Sequence, residues 1–191
     1  VMQALDIPAI DLVIVNLYPF EAVTANANCS LEAAIENIDI GGPAMVRAAA
    51  KNHTRVTVVV DPADYAEIAR ELNEHGAVSP RRRLMLATKA FAHTARYDGV
   101  VAAWLSRANS NGELSQDLPE YLTPQFHRRL ELRYGENPHQ MAAFYVDSGV
   151  EPSGIASAEQ LQGKALSYNN INDADTALEC VSQFDPRPTC A

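Results

Sequence analysis

The residues best suited to chemistry surround a glycine pair, Gly41-Gly42, with Asp39 before it and Lys51 after it. Pro43 favours the first position of a helix, because its missing N–H has no intrahelical partner to lose, so we predict that a helix begins there. The free backbone N–H groups at a helix start form an anion-binding site. Lys51 would lie about two turns further, roughly 12 Å along the axis. The spacing therefore predicts that Asp39 and Lys51 flank a small ligand instead of forming an ion pair.

Lys51 also has a purely local explanation. A lysine that closes a helix interacts favourably with the negative end of the helix dipole, and so does a nearby histidine such as His53. A role in the helix alone and a role in chemistry therefore both stay open at this point.

Two further polar residues, Asn16 and Tyr18, follow an apolar run that predicts a strand. In open α/β sheets, ligands bind beyond the carboxyl ends of the strands. The topology would bring Asn16 and Tyr18 to the same sheet edge as Asp39 and the glycine pair, where together they would suit a phosphorylated polar ligand. The alternative is that Asn16 and Tyr18 only shape the turn before Pro19.

A second polar cluster is the loop from Arg133 to Gln140, which combines a guanidinium, a phenol, an imidazole and amides around a Gly/Pro turn. A guanidinium fork can bind phosphate through two parallel hydrogen bonds. The loop is therefore either a binding loop or an ordinary polar turn.

Other polar residues are predicted to have structural roles. His93 and Asp98 fall in the middle of a predicted helix and are interpreted as packing groups with satisfied hydrogen bonds. The three arginines at 81–83 predict a solvated helix start. The sequence contains no glycine-rich phosphate loop, no metal-ligand spacing and no nucleophile elbow.

Strands that alternate with helices must position these residues. Apolar runs predict buried parallel strands at 11–18 and 55–60. Helices are predicted at 31–36, capped by Ser30, at about 63–74, stopped by Gly76, and from Pro80 to about 107. On the last helix, three/four spacing predicts one buried face, formed by Leu84, Ala87, Phe91, Ala95, Ala102 and Leu105. The alternation indicates an α/β domain with a parallel sheet.

The composition changes after this helix, where Asn, Ser, Gly and Pro become frequent and periodicity is lost. We predict a first domain over 1–107, a linker over 108–127 and a second domain over 128–191. The second domain is predicted to hold extended segments at 130–134 and 142–146, a turn-rich loop at 163–172 and a helix at 173–184.

Composition excludes several classes of protein. The chain has 191 residues, a formal net charge of −9 and 47% apolar residues. The negative net charge argues against a general nucleic-acid binder, which would show a basic face. No apolar run approaches the ~20 residues that span a bilayer, so we expect no membrane-spanning helix. The three cysteines are odd in number and far apart, which is typical of a reducing compartment and of neither a zinc site nor a disulfide framework. We expect a cytoplasmic protein without a secretory signal, and no metal.

Six motifs, taken together and in order, resemble one family. They lie at 15–20, 38–42, 47–53, 89–98, 133–140 and 163–170, so that the resemblance runs along essentially the whole chain. The sequence is similar to the PurH family of bifunctional purine-biosynthesis enzymes, in its bacterial form, which join an IMP cyclohydrolase to an AICAR transformylase. The family's phosphate loop would precede Val1 and its transformylase Lys-His motif would follow Ala191, so we expect an incomplete chain.

The resemblance implies a fold and a chemistry. It implies the C-terminal part of a methylglyoxal-synthase-like cyclohydrolase domain with a parallel sheet, followed by the start of an α/β transformylase domain. The second domain would transfer a formyl group from 10-formyltetrahydrofolate to AICAR, and the first would close the ring to IMP. By family position the catalytic residues are Lys51, as the proton-transferring group, Tyr18 and Asp39. The implied substrate-binding residues are Val15, Asn16, Asp39, Ile40, Gly41 and Gly42 in the first domain and Arg133, Tyr134 and, by a looser match, Asn170 in the second.

The resemblance also implies partners. It implies no bound cofactor, with the folate as a cosubstrate, and a homodimer that binds the nucleotides AICAR, formyl-AICAR and IMP. One alternative is a non-catalytic nucleotide-binding module on the same scaffold, and another is a cyclohydrolase without a transformylase. A proton-transferring lysine favours catalysis over binding alone, and the Arg133 loop favours the bifunctional form.

Overall fold

The computed structural model describes residues 3–109, 113–115, 118–148, 151–184 and 189–191. The chain divides into two compact units, Val1–Thr123 and Pro124–Ala191. This division falls inside the predicted linker, of which residues 110–112 and 116–117 lie outside the described part. None of the helices in that described part has the length and apolarity needed to cross a membrane.

The first unit is built on a parallel pair of strands. Strand β1 (Leu12–Ile14) lies beside β2 (Thr57–Val59), with Val13 opposite Val58, which confirms the predicted parallel pairing. Both strands are shorter than predicted. The backbone pairing extends to Val15, and the chain then turns toward Pro19, which has no N–H to continue a ladder.

Burial differs between the two strands. All three residues of β2 are buried, because the helices Gly41–Lys51 and Pro80–Leu105 pack against it. In β1 only Val13 and the following Val15 pack against the core, whereas Leu12 and Ile14 are exposed. The prediction of a buried strand is therefore correct for β2 and wrong for β1.

In the part of the first unit that the structure describes, five α-helices surround or follow these strands. They are α1 (Phe20–Thr24), α2 (Leu31–Glu36), α3 (Gly41–Lys51), α4 (Tyr65–His75) and α5 (Pro80–Leu105), with short 3₁₀ turns at Gln3–Leu5 and Pro62–Asp64. The Ser30 side chain accepts a hydrogen bond from the Ala33 N–H at 3.1 Å, which confirms the predicted cap of α2. Gly76 ends α4 at φ +70°, a left-handed conformation that favours glycine.

The start of α3 differs from the prediction. The helix begins at Gly41, so Pro43 occupies its third position and not its first. The physical reason is that the Asp39 carboxylate accepts a hydrogen bond from the Gly42 N–H at 2.7 Å. Asp39 lies one residue before the N-cap residue Ile40, and its carboxylate satisfies the N–H of the second helical residue, so the helix can begin two residues before Pro43.

The buried face of α5 was also predicted wrongly. Leu84, Phe91, Ala95 and Ala102 are exposed. The buried residues are Leu86, Ala87, Ala90, Thr94 and Trp104, so only Ala87 of the predicted face is buried. Apolar residues lie on more than one side of this helix, and the sequence period alone could not select the side that meets β2 and α3.

The arginine run at the start of α5 is not simply solvated. Arg82 pairs with Glu71 at 2.7 Å and also with Glu67. Arg83 donates to the carbonyl oxygens of His53, Thr54 and Val78 at 2.8–3.0 Å. The guanidinium of Arg83 thereby satisfies carbonyl groups just beyond α3, so only Arg81 matches the prediction of a solvated residue.

The second unit contains an antiparallel hairpin and a helix. Strands β3 (Phe126–Leu132) and β4 (Ala142–Asp147) pair with Leu132 opposite Ala142, and α6 (Tyr168–Val181) follows a short 3₁₀ turn at Gly154–Ser157. Strand β3 begins within the predicted linker. Helix α6 begins five residues before its predicted start, because Ser167 and Asn170 form a reciprocal capping box. The sequence analysis had assigned both residues to a loop.

Candidate functional site

A cavity of about 610 Å³ lies beside the carboxyl end of β1. It is lined by Ile14, Val15, Asn16, Tyr18, Ile38, Asp39, Ile40, Gly41, Gly42 and Met45. The structure therefore brings together, around one cavity, all the residues of the first unit that were predicted as site residues, with the exception of Lys51.

The Asp39 carboxylate joins two segments at this cavity. Its Oδ1 accepts from the Gly42 N–H at 2.7 Å, and its Oδ2 accepts from the Tyr18 N–H at 3.3 Å. The side chain thus ties the segment after β1 to the first turn of α3. The partial positive charge of a helix start stabilises a carboxylate at this position.

The close approach of Asp39 explains the second glycine of the pair. A Cβ atom at position 42 would lie 2.5 Å from Oδ2 and 2.8 Å from Oδ1 of Asp39, whereas a Cβ atom at Gly41 would meet nothing within 4 Å. Only a residue without a side chain fits at 42 while the carboxylate keeps its hydrogen bond. The group that approaches this glycine closely is the protein's own carboxylate.

The backbone of Asp39 is held by a residue that the sequence analysis missed. The Tyr97 hydroxyl accepts from the Asp39 N–H at 2.7 Å and donates to the Asn37 carbonyl at 3.4 Å. The Tyr97 ring packs edge-on against Phe20, with centroids 6.5 Å apart. Tyr97 lies within one of the family motifs, at 89–98, but no local pattern links it to a residue 58 positions earlier.

Lys51 lies apart from these groups. It is the last residue of α3 and is exposed, about 15 Å from the helix start at 1.5 Å per residue. It is not among the residues that line the cavity. Its role in proton transfer stays a prediction.

The arrangement can bind a polar ligand of moderate size. Apolar side chains line one part of the cavity, while an amide, a phenol and a carboxylate supply hydrogen bonds. A carboxylate has about four acceptor positions, so Asp39 can accept from a ligand N–H in addition to its two backbone donors. Among the described residues that line this cavity, none carries a cationic side chain, so a phosphate would need its counter-charge from elsewhere.

A smaller cavity of about 230 Å³ adjoins the first and shares Asn16 and Tyr18 with it. His93 and Arg96 also line it. Within the described residues, His93 Nε2 is buried without a hydrogen-bond partner, so the prediction of a satisfied histidine is wrong. Burial, together with the positive charge of Arg96, lowers the pKa of His93 below its ordinary value. Asp98 is exposed and is not a packing group.

Charged residues at the carboxyl end of β2 pair with one another. Lys89 Nζ lies 2.6 Å from Asp61 Oδ2 and 2.7 Å from Asp64 Oδ2. The hydrogen bond from Lys89 lowers the pKa of Asp61. The described residues include no group of three or more His, Cys, Asp or Glu side chains that could hold a metal ion.

The candidate site of the second unit lies where the hairpin meets the start of α6. The Arg133 N–H donates to the Leu166 carbonyl at 2.7 Å, and the Tyr168 N–H donates to the Tyr134 carbonyl at 3.0 Å. The Arg133 guanidinium stacks over the Tyr134 ring at 4.8 Å and donates to its hydroxyl at 3.2 Å. These contacts fix an exposed guanidinium beside the first turn of a helix.

Asn170 lies in that first turn and has a structural partner. Its Oδ1 accepts from both the N–H and the hydroxyl of Ser167 at 3.0 Å. Asn170 lies in the same helical turn as Tyr168, whose N–H binds the Tyr134 carbonyl. It also has a capping role that the sequence analysis did not anticipate.

The turn after Tyr134 is closed by Gln140. The Gly135 N–H donates to the Gln140 carbonyl at 2.9 Å, and Gln140 Oε1 accepts from the Asn137 N–H at 2.8 Å. A Cβ atom at position 135 would lie 2.9 Å from the Gln140 Cβ. Glycine at 135 therefore permits the close contact that keeps this turn tight.

Comparison with protein families identifies the class of protein. The family model described as "AICARFT/IMPCHase bienzyme" matches residues 49–191, and the model described as "MGS-like domain" matches residues 1–44. Because the first match covers most of the chain, the chain belongs to the AICARFT/IMPCHase bienzyme family. This confirms the predicted family and the predicted α/β fold class with a parallel sheet.

A curated relative agrees with this assignment. The "Bifunctional purine biosynthesis protein PurH" of Acidithiobacillus ferrooxidans is 54% identical over 190 residues, which cover 99% of this chain and 36% of that protein. The chain thus spans 36% of the length of this curated relative. A solved structure, "Crystal structure of ForH", is 38% identical, with a TM-score of 0.45, and the match covers 53% of each chain.

Proposed function

We propose that this chain forms part of an enzyme for the last two steps of IMP synthesis. In the first step a formyl group passes from 10-formyltetrahydrofolate to AICAR, and in the second formyl-AICAR closes its ring with loss of water. The observation that carries the proposal is the convergence of Val15, Asn16, Tyr18, Asp39 and the residues 40–42 around one cavity. These are the positions at which the family's cyclohydrolase motifs fall.

Ring closure needs three events at this cavity. The carboxamide nitrogen attacks the formyl carbon and loses one of its protons, the formylated amine nitrogen loses its proton as it forms the ring C=N bond, and the former formyl oxygen takes up two protons and leaves as water. The Asp39 carboxylate accepts a hydrogen bond from the carboxamide N–H, which orients the nitrogen for attack. The Tyr18 phenol donates to the formyl oxygen as negative charge develops on it.

Lys51 is assigned the proton transfer by its family position alone. Its place at the far end of α3 means that its ammonium cannot meet Asp39 across the cavity without a large change in the structure. The proposal is therefore that Asp39 and Tyr18 act directly in the cavity, while the contribution of Lys51 is decided by experiment.

The second unit supplies part of the formyl-transfer site. Arg133, held over the Tyr134 ring, presents its fork to the phosphate of AICAR, and the first turn of α6 adds a favourable partial charge. Asn170 binds AICAR only through atoms that its cap leaves available. The folate is a cosubstrate and no cofactor stays bound. We assign the whole protein to a homodimer in the cytoplasm, and sedimentation velocity tests the dimer.

The test uses the full-length protein and two assays. Cyclisation of added formyl-AICAR is followed by its absorbance change, and formyl transfer is followed from AICAR with the formyl donor. Asp39→Asn and Lys51→Ala should each slow ring closure by about 10²–10⁴-fold, the usual scale for a positioned proton-transfer or orienting group, and should spare formyl transfer. Arg133→Ala should show the opposite pattern.

Matched controls separate function from stability. Arg129→Ala, on the exposed surface of β3, and Lys164→Ala, also exposed, should leave both activities unchanged. If Lys51 serves only the helix dipole, Lys51→Ala will cost about 0.3–1 kcal/mol of stability and little activity. Nucleotide binding without turnover by the wild-type protein would favour the non-catalytic module instead.

A further inference from the structure

We propose that Tyr97 is a positioning residue for ring closure, which acts by fixing the backbone of Asp39. The inference rests on the proposed function of Asp39 and extends it to a residue on another element. The sequence reading assigned no function to Tyr97, and it does not line the larger cavity that contains Asp39.

Hydrogen bonds from three elements converge on Asp39. Its N–H donates to the Tyr97 hydroxyl of α5 at 2.7 Å, as short as the bond that its carboxylate accepts from Gly42. Its carboxylate accepts from the first turn of α3, through Gly42, and from the segment after β1, through Tyr18. The backbone position and the direction of the carboxylate are therefore set separately, and Tyr97 sets the first of them.

The Tyr97 hydroxyl is itself held in place by the core. The ring meets Phe20 at an interplanar angle of 71° and packs against the buried cluster of Phe20, Ala34 and Trp104. A second bond, from the hydroxyl to the Asn37 carbonyl at 3.4 Å, fixes the direction in which the oxygen presents its lone pairs. The segment 37–39 is thereby attached to a side chain that packs against the core.

Removing only the hydroxyl should loosen this attachment. A phenylalanine at 97 keeps the ring and its packing, but it leaves the Asp39 N–H without its acceptor. A small displacement of a group that orients the substrate lowers the rate more than it lowers binding. We expect kcat of ring closure to fall roughly tenfold, the rate equivalent of about one hydrogen bond, with KM changed by less than about twofold.

The experiment is a double-mutant cycle in the full-length protein. It compares wild type, Tyr97→Phe, Asp39→Asn and the double variant, with formyl transfer measured alongside. The expected result is that Tyr97→Phe lowers kcat in the wild-type background and has no further effect in the Asp39→Asn background. Tyr65→Phe, at a partly exposed tyrosine on α4, is the matched control and should change neither activity.

The outcomes distinguish the inference from the function on which it rests. Full ring-closing activity in Asp39→Asn would refute the assigned role of Asp39, and the inference with it. An impaired Asp39→Asn together with an unimpaired Tyr97→Phe would overturn the inference alone. An equal loss from Tyr97→Phe in both backgrounds would show a merely structural role.

A second variant covers the case in which Tyr97→Phe does not fold, as judged by the emission of Trp104. Phe20→Leu keeps the Tyr97 hydroxyl but loosens the ring packing that aims it. It should lower kcat by a smaller factor, and this loss should also vanish in the Asp39→Asn background. A loss that persists there would contradict the positioning role.

Discussion

The two candidate sites hold their polar residues by different means. In the first unit, Asp39 is fixed by groups that are distant in the sequence: the Tyr97 side-chain hydroxyl lies 58 positions away and the Tyr18 backbone N–H lies 21 positions away. In the second unit, backbone hydrogen bonds fix the segment around Arg133 and Tyr134, and the turn that follows is closed by Gln140 within a few residues. Truncating a distant side chain should therefore disturb the first site, whereas the second should respond to changes in its local backbone.

Gly42→Ala should have the largest effect and should be confined to the first site. The added Cβ would lie 2.5 Å from Asp39 Oδ2, so the carboxylate must leave the helix start. We expect ring closure to fall by about 10²-fold or more, since displacement of an orienting group by about 1 Å costs that much, and formyl transfer to persist. Stability should fall by about 1–3 kcal/mol, measured by urea unfolding with the fluorescence of Trp104, the single tryptophan of the chain.

The neighbouring glycine provides the stability control for that experiment. A Cβ atom at position 41 would meet nothing within 4 Å, so Gly41→Ala should not destabilise the first unit. If both variants lost the same stability, the helix start itself and not the Asp39 contact would be the sensitive feature.

Gly135→Ala should have an intermediate effect, restricted to the second site. Its Cβ would lie 2.9 Å from the Gln140 Cβ, and the turn must open by a few tenths of an ångström to relieve the contact. We expect formyl transfer to fall roughly tenfold, because Arg133 lies two residues before the altered position. Ring closure should be unchanged, and an equal loss of both activities would contradict the separation of the two sites.

Asn170→Ala should have a smaller effect, mainly on stability. It removes the acceptor for the Ser167 N–H and hydroxyl, and loss of a helix cap costs about 0.5–2 kcal/mol. Circular dichroism during urea unfolding measures the change. Asn172→Ala, on the exposed surface of the same helix, is the control and should not destabilise. If Asn170 also binds AICAR, its variant will raise the KM for AICAR as well.

The smallest expected effect is a pH dependence that belongs to the first unit. Burial lowers the pKa of His93 from its ordinary value of about 6.5, so the folded chain favours the neutral ring. As the pH falls through 6.5, the unfolded chain binds a proton before the folded chain does. The stability contributed by the neutral ring is therefore present above that pH and is lost as the pH falls toward the lowered pKa.

Substitution at His93 tests this dependence. Urea unfolding followed by Trp104 fluorescence between pH 7.5 and about 5 should show the loss in wild type and a weaker slope in His93→Gln. His75→Gln, at a side chain that is 67% exposed, should keep the wild-type slope. Identical slopes in all three proteins would mean that the burial of His93 has no energetic consequence.

Local signals in the sequence were sufficient for several elements. Ser30 and Gly76 were placed correctly, because a cap or a left-handed glycine acts on its own neighbours within four residues. The two apolar runs predicted the parallel pairing of β1 and β2, although they did not predict the lengths of the two strands. The motifs around 15–20 and 38–42 also predicted which residues would line one cavity, since strand ends and helix starts of an α/β unit meet at one edge.

Other features depended on contacts that no local pattern contains. The buried side of α5 is selected by its packing on β2 and α3, and its apolar residues lie on more than one side. The role of Arg83 depends on carbonyl groups about 30 positions earlier. The early start of α6 is an exception, because its Ser167–Asn170 capping box was visible in the sequence and was missed.

The sequence by itself determined the family, the parallel pairing of the strands and seven of the ten residues around the larger cavity, because these follow from motif identity and local periodicity. Only the tertiary structure decided how those residues are used. It brought the Asp39 carboxylate to the Tyr18 N–H and placed the Tyr97 hydroxyl against the Asp39 N–H. The physical reason is that hydrogen bonds and steric contacts across 21 to 58 positions form only when the core brings helix α5 and the segment after β1 together.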